Sequence, residues 1–352
     1  MLVAAKWQHK LITLSGWVLA LVLLAFTWQF VLFISVLTGI LGVVGLLTLY
    51  LAIVLCEVGL HQFYNSKEER SLPGSITLDQ NGYLYFASPA KHCILKFDSR
   101  GKLLARLGRQ GNQDGMFSFP TGVAVDRQGH LYVSDLGNYR IQKLDSQGRC
   151  LAKWDGAAQL HRPDRLALDE NGFLYASDIS KHCILKFDSD LHLLAKWGSE
   201  GQGRGQFRYP GHLALDLAGR LYVADTLNGR VQSLDSAGRY LADLTGNELG
   251  RNQNFSDEQS SAYPGGLAID RQGHLYVMTP WGLQQFERDG RAASDWPIAD
   301  FGVGPARPRS MALDARGRIY ILLGSGTEQQ IARYDLASGR RLNRWRINRR
   351  FV

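Results

Sequence analysis

The sequence predicts an all-β fold, a six-bladed β-propeller, preceded by a two-helix transmembrane hairpin. Three observations predict it. One pattern recurs six times at a spacing of about 45 residues. Each copy divides into four short strand-like segments. An uncharged run of 46 residues, Leu11–Cys56, stands ahead of the first copy.

The uncharged run is broken only by Gln29 and a few Ser, Thr and Gly. As one straight helix it would be about 69 Å long at 1.5 Å per residue. A bilayer core is roughly 30 Å thick and is crossed by about 20 residues. Two spans therefore fit, roughly Leu11–Val31 and Leu37–Val58, with the turn position open. A cleaved signal peptide is excluded, because its apolar region would be about 7–15 residues long. Gly39, Gly42 and Gly45 would let the second helix approach the first closely. A buried soluble hairpin is the alternative, and the lack of any polar face argues against it. Lys6 and Lys10 precede the first span, and Lys67 and Arg70 follow the second, among Glu57, Glu68 and Glu69. By the positive-inside rule both flanks, and the propeller with them, are cytoplasmic, at a bacterial inner membrane. A periplasmic propeller is the alternative. The expected partition is a tail over 1–10, a hairpin over 11–58 and a linker over 59–71. The propeller follows over 72–348, with a basic tail over 349–352.

Charge narrows the partners. The formal net charge is +8, and leaving out Lys6, Lys10 and Glu57 leaves 38 basic against 31 acidic side chains. Six of the basic ones, Arg340, Arg341, Arg344, Arg346, Arg349 and Arg350, sit in a terminal stretch without an acid. The rest is nearly neutral, so no broad nucleic-acid-binding face is expected. The four cysteines, Cys56, Cys93, Cys150 and Cys183, lack the paired spacing of a secreted disulfide framework.

The copies align on Pro73, Pro120, Pro163, Pro210, Pro264 and Pro308. Within them Asp79, Asp126, Asp169, Asp216, Asp270 and Asp314 form one column. Gly82, Gly129, Gly172, Gly219, Gly273 and Gly317 form a second, and Tyr85, Tyr132, Tyr175, Tyr222, Tyr276 and Tyr320 a third. In the second copy the four strands read "GVAVD", "HLYVSD", "RIQKLD" and "CLAKW". "DRQG" and "DSQG" punctuate them with an Asp that bonds the backbone ahead and a Gly where positive φ is cheap. Four-stranded units at this period signal a propeller. No blade alone buries enough surface, and radial packing protects most strand edges.

The segment "FPTGVAVDRQGHLYVSDLGNYRIQKLDSQGRCLAKW" resembles an NHL repeat almost throughout, and the resemblance covers about Leu72–Ile347. It implies a six-bladed propeller whose inner strand carries "GVAVD". That family consists mostly of binding scaffolds, and some relatives are lyases or lactonase-type enzymes.

The nine-residue stretch "KHCILKFDS" occurs at Lys91–Ser99 and again at Lys181–Ser189. A His beside a Cys suggests metal or redox chemistry, but both copies fall on third strands, two blades apart. Neighbouring strand residues face opposite sides, so His92 and Cys93 do not chelate together. The repeat reads as architecture. The Asp and Gly columns likewise read as turn residues. Asp135, Asp178 and Asp225 end second strands, where a local role of bonding nearby backbone is favoured over ligand binding.

Loops between second and third strands, and between successive blades, share one rim. Just after each proline, Ser75, Thr121, Asp164, Arg165, His212 and Arg309 approach the central funnel. Two Arg and one His there suit an acidic peptide or carboxylate; a solvated channel mouth is the alternative. The long insertion Thr245–Pro264 is a functional or disordered loop. Nearby Trp281 is either a partner anchor or packing beneath that loop. In "RRLNRWRINRR" the arginines and Trp345 suit anionic headgroups; a solvated, aggregation-blocking edge strand is the alternative.

No nucleophile–base–acid set, phosphate loop or metal-ligand spacing stands out, so no catalytic residue, metal or cofactor is expected. The leading expectation is a membrane-anchored scaffold binding a protein or peptide on its loop rim. A lyase or lactonase-type hydrolase in the funnel is the alternative. For that, His212 with His161 and Asp164 falls short of a closed ligand set. RNA binding is a further alternative, disfavoured by the charge balance. No RING-type Cys/His cluster precedes the repeats.

Overall fold

The computed structural model describes residues 74–156, 161–244, 264–279, 282–297, 308–324, 329–338 and 340–347. All belong to the second of two units, Glu68–Val352. The expected hairpin, the insertion over 245–263, Trp281, Arg349 and Arg350 lie outside them. No helix among the described residues is long and apolar enough to cross a membrane.

Twenty-four strands, β1 to β24, form six four-stranded antiparallel sheets, each built from consecutive strands. This is the six-bladed propeller that the repeat period predicts. Blade 2 shows the plan: β5 (Pro120–Val125) lines the axis, then β6 (Leu131–Asp135), β7 (Arg140–Leu144) and outermost β8 (Cys150–Asp155). The burial pattern fits the radial order. β6 is buried at every position, because both faces of a second strand meet neighbouring blades, while β8 alternates along its length. The inner strands of the other blades are β1 (Ile76–Leu78), β9 (Pro163–Leu168), β13 (Pro210–Leu215), β17 (Gly266–Ile269) and β21 (Pro308–Leu313).

The Asp column acts as read from sequence. Asp126 Oδ1 accepts the N–H of Gln128 at 2.9 Å and of His130 at 2.8 Å, closing the turn between first and second strands. Asp79, Asp169, Asp216, Asp270 and Asp314 repeat this. Their second oxygen reaches the Tyr column in three blades: Tyr85 donates to Asp79 at 3.3 Å, Tyr175 to Asp169 at 3.4 Å and Tyr276 to Asp270 at 3.2 Å. Gly129 sits at φ 85°, a conformation that a side chain rarely tolerates.

The hydrophobic core is a set of seams, each filled by residues of two adjacent blades. Among the described residues no strand is exchanged between the first and sixth blades, and side chains close the seam between them. Ile76 and Phe86 of blade 1 share a cluster with Tyr320 and Ile331 of blade 6. Ser310 Oγ accepts the Ile76 N–H at 3.2 Å, and Asn343 donates to Arg100 O at 3.3 Å. β24 (Arg341–Arg346) is the outermost strand of blade 6, as the terminal sequence predicts.

Candidate functional site

The six inner strands surround a central cavity of about 250 Å³. Its lining mixes apolar inner-strand residues such as Leu168, Leu215 and Ala268 with polar groups. One end is polar: Ser75, Arg165, His212 and Ser310 line it. They come from strand starts, where the chain enters each blade from the rim.

These residues are buried, with Arg165 6% and His212 9% exposed. They are tied blade to blade. Ser75 N–H donates to Thr121 O at 2.8 Å, and Ser75 Oγ accepts the Val123 N–H at 2.9 Å. Thr121 Oγ1 and Ser134 Oγ both donate to Asp164 O. Arg165 Nη1 donates to Thr121 O at 2.9 Å, and its Nε lies 3.5 Å from the Asp164 carboxylate.

His212 reaches further than its neighbours. Its Nε2 donates to Arg309 O at 3.0 Å, linking blade 4 to blade 6. Blade 5 offers only Gly265 and Gly266 at the equivalent positions, so no side chain stands between. Burial, reinforced by the Arg165 cation, pushes the imidazole down to about 3, against the pull of the Arg309 carbonyl. His212 is therefore neutral, with Nε2 the donor and Nδ1 the basic nitrogen. Arg309 is half-buried. The Arg165 guanidinium, the Asp164 carboxylate and an uncharged imidazole thus meet at this end of the cavity, where Arg309 contributes its backbone carbonyl.

The rim carboxylates are engaged structurally. Asp135 accepts the Ser118 N–H, Asn138 Nδ2 at 2.8 Å and Arg140 Nε at 2.8 Å. Burial lifts its carboxyl to about 6 against those three partners. Arg140 in turn donates to Gln113 O and Met116 O, fixing the incoming loop. In blade 4, Asp225, Asn228 and Arg230 repeat the arrangement, with Gly203 O and Gln206 O as acceptors. In blade 3, Asp178 pairs with the buried His161 and accepts the N–H groups of Arg162, Ser180 and Lys181. The local role favoured from sequence is the one observed. His161 is thereby engaged by Asp178. Among the described residues no group of three or more His, Cys, Asp or Glu is placed to hold a metal ion.

Cys93 and Cys183 are fully buried, and burial pushes the Cys183 thiol up to about 12. They pack in seams. On the terminal strand, Arg344 Nε donates to Gln330 Oε1 at 2.6 Å, while Arg340, Arg341 and Arg346 are exposed. Trp345 does not face outward as a headgroup anchor would. It is partly buried in the closing seam, its ring 6.4 Å from that of Tyr320 and against Gly101 of blade 1.

The sequence reading missed the far mouth of the channel. There a recess of about 830 Å³ is ringed by turn residues including Gln80, Arg127, Glu170, Arg271 and Arg316. Arg127 and Glu170 form an ion pair across adjacent blades. The signal was present: the residue after each column Asp varies in charge between blades, while the Asp and Gly around it do not.

Residues 117–144 match the family model described as "NHL repeat". No curated protein sequence matches the chain. Several solved structures share its fold. Virginiamycin B lyase from Staphylococcus aureus superposes with a TM-score of 0.55 at 13% identity, covering 81% of this chain and 86% of the lyase. A gluconolactonase from Xanthomonas campestris gives 0.52 at 18%, covering 72% and 84%. A chain of a mitotic checkpoint complex gives 0.53 at 13%, covering 78% and 77%. At such identities the likeness is one of fold alone.

Proposed function

We propose that this chain is a membrane-anchored propeller scaffold that binds an acidic peptide segment of a partner protein at the polar end of its central cavity. The carrying observation is the polar arrangement there: the Arg165 guanidinium and the uncharged His212 stand beside Asp164, and Arg309 holds His212 through its backbone carbonyl. A carboxylate complements the guanidinium charge, and an adjacent N–H suits the basic Nδ1 of His212. The cavity of about 250 Å³ has room for one side chain, not for a whole segment. The rest of the peptide would lie across the loop rim, which Asp135, Asp178 and Asp225 hold rigid.

Residues 11–58 serve in this reading as the anchor, since an uncharged run of that length suits two crossings. Their flanking lysines favour a cytoplasmic propeller. The exposed Arg340, Arg341 and Arg346, with Arg344, Arg349 and Arg350 nearby in sequence, give a further attraction to anionic lipid.

The test is titration of the purified full-length chain with capped peptides differing only in Glu against Gln. The reading expects binding of the Glu peptide alone and at least tenfold loss in Arg165→Gln, with the melting profile recorded alongside. Equal affinity for the two peptides would remove it.

A second reading places a lyase or lactonase-type hydrolase in the same cavity. It draws on a neutral imidazole beside a guanidinium in a fold shared with a lyase and a gluconolactonase. Turnover of gluconolactone abolished by His212→Ala would favour it over the scaffold.

A further inference from the structure

The seams between blades follow one plan, and the seam between blades 4 and 5 departs from it. On each fourth strand one residue leans over the next blade: Leu107, Trp154, Trp197, Leu244, Trp296 and Trp345, in blade order. They are equivalent by register, pairing with Ile94, Ile141, Ile184, Val231, Leu283 and Ile331. Two residues further along the third strand stand Lys96, Lys143, Lys186, Ser233, Gln285 and Arg333.

Long cations in that second column stitch the seam. Lys143 Nζ donates to Ser189 O at 2.9 Å, Lys186 Nζ to Ser236 O at 3.3 Å, and Arg333 to Ser99 O, each acceptor in a turn of the next blade. Lys186 Nζ also lies 5.5 Å from the ring centre of Trp197. Blade 1 has a leucine in the first column but keeps the cation, with Lys96 Nζ 4.4 Å over the Tyr83 ring. Blade 5 has Gln285 but keeps its indole, Trp296.

Blade 4 lacks both. Ser233 Oγ turns back to Ala242 O of its own sheet at 3.2 Å. A cation arrives from elsewhere: Arg220 Nη1 donates to Arg288 O in the blade 5 turn at 3.4 Å, and to Tyr222 Oη at 3.3 Å. Among the described residues nothing takes the place of the ring. A Cβ at Gly238 would strike Trp197 at 2.4 Å, whereas one at the equivalent Gly290 would meet Leu244 at an ordinary contact distance of 3.5 Å. The seam holds a cavity of about 420 Å³, lined by Tyr222, Val231, Leu244, Leu275 and Phe286, with Arg220 among its walls.

We propose that this cavity is a binding site for an indole-sized aromatic ring. The ring takes the volume that Trp197 fills in the preceding seam, with Phe286 and Leu275 as its apolar floor. The Arg220 guanidinium supplies the cation over the ring face that Lys186 supplies to Trp197. The volume falls in the range of small-ligand pockets. The same chemistry is carried by a free heteroaromatic molecule and by a tryptophan of a peptide. This site is separate from the central cavity, and it stands or falls independently of the acidic-peptide reading.

Equilibrium dialysis of the purified full-length chain against indole, and in parallel against N-acetyltryptophanamide, tests the proposal. One saturable site per chain for indole is the expected result. Equal or tighter binding of the amide assigns the ring to a peptide, and its exclusion assigns it to a free molecule; both uphold the site. The double variant Ser233→Lys/Leu244→Trp rebuilds the preceding seam, and it should melt higher while losing indole binding at least tenfold. Arg220→Gln, which leaves the cavity open, should weaken indole several-fold. Absence of saturable binding by both probes up to millimolar concentration overturns the proposal. So does unchanged indole affinity in a cooperatively melting double variant or, should that variant fail to fold, in Arg220→Gln.

Discussion

The Nδ1 of His92 accepts the backbone N–H of Phe119 at 3.2 Å, and His182 accepts that of Tyr209 in the same way at 2.9 Å. Each bond joins the turn between one blade's second and third strands to the residue that enters the next blade. All four residues have positive φ, between 51° and 57°, so both backbones bend sharply at the junction. Burial pushes His92 below the ordinary histidine range, which keeps Nδ1 free to accept. The letter-for-letter repeat thus preserves a latch between blades. The Asp135–Arg140 and Asp225–Arg230 clamps recur at the same offset, which makes the repeating unit a pair of blades.

Removing a latch takes the imidazole acceptor away from that N–H. His92→Ala and His182→Ala should each lower stability by about 1–2 kcal/mol. The two latches share no partner, so the losses should add to within about half a kcal/mol. Urea unfolding of the single and double variants measures this. A double variant no weaker than either single one would show that the bonds contribute nothing.

Arg140 is buried against a fully buried Asp135, and it also holds two loop carbonyls. Arg140→Met leaves that carboxylate without its cation, which should lower stability by about 3–5 kcal/mol. Adding Asp135→Asn should recover part of the loss, since the amide oxygen still accepts the Ser118 N–H while the charge is gone. Thermal melts of the three variants decide between a charge-pair effect, with recovery, and a simple packing defect, without it.

The blades were legible because each is written six times. A column shared by all copies, such as Asp126 or Gly129, must serve something every blade has, and turns are what every blade has. The rim aspartates were legible for a related reason: a short carboxylate ending a strand has backbone within reach. What stayed hidden depends on differences between blades and on distance across the ring. That His212 bonds to blade 6 follows from blade 5 having glycine at two positions, and no pattern within blade 4 reveals it. Trp345 in an arginine-rich tail reads as an interfacial residue until the ring closes and Gly101 proves to be its neighbour. The cavity beside Leu244 is visible only once register makes Leu244 and Trp197 equivalent.

Trp345 takes part in closing the ring, since among the described residues no strand is exchanged between blades 1 and 6. Its indole packs over Gly101 and against Tyr320, where the Arg333 bond to Ser99 also crosses the seam. Trp345→Ala should lower stability by about 2–4 kcal/mol. Because it opens one particular seam, hydrogen exchange should accelerate in β1 and β21 before β9 and β13. Uniform acceleration around the ring would mean that Trp345 stabilises the fold without a special part in closing it.

His212 makes the central cavity sensitive to acid, and the sign follows from its depressed folded value. An ordinary histidine titrates near 6.5, whereas burial and Arg165 hold His212 down to about 3. Between those values the unfolded chain binds a proton that the folded chain refuses, so stability falls as pH falls. The contribution is fully present above about pH 6.5 and declines by up to about 1.4 kcal/mol for each pH unit below it. His212→Gln keeps a neutral donor for the Arg309 carbonyl but cannot titrate. Its stability should therefore be flatter than the wild type's between pH 6.5 and 4 by roughly one proton's worth of slope. Parallel melts of the two proteins across that interval provide the measurement. Identical slopes would mean that folding leaves the titration of His212 unchanged, and the uncharged imidazole at the polar end of the cavity would have to be given up.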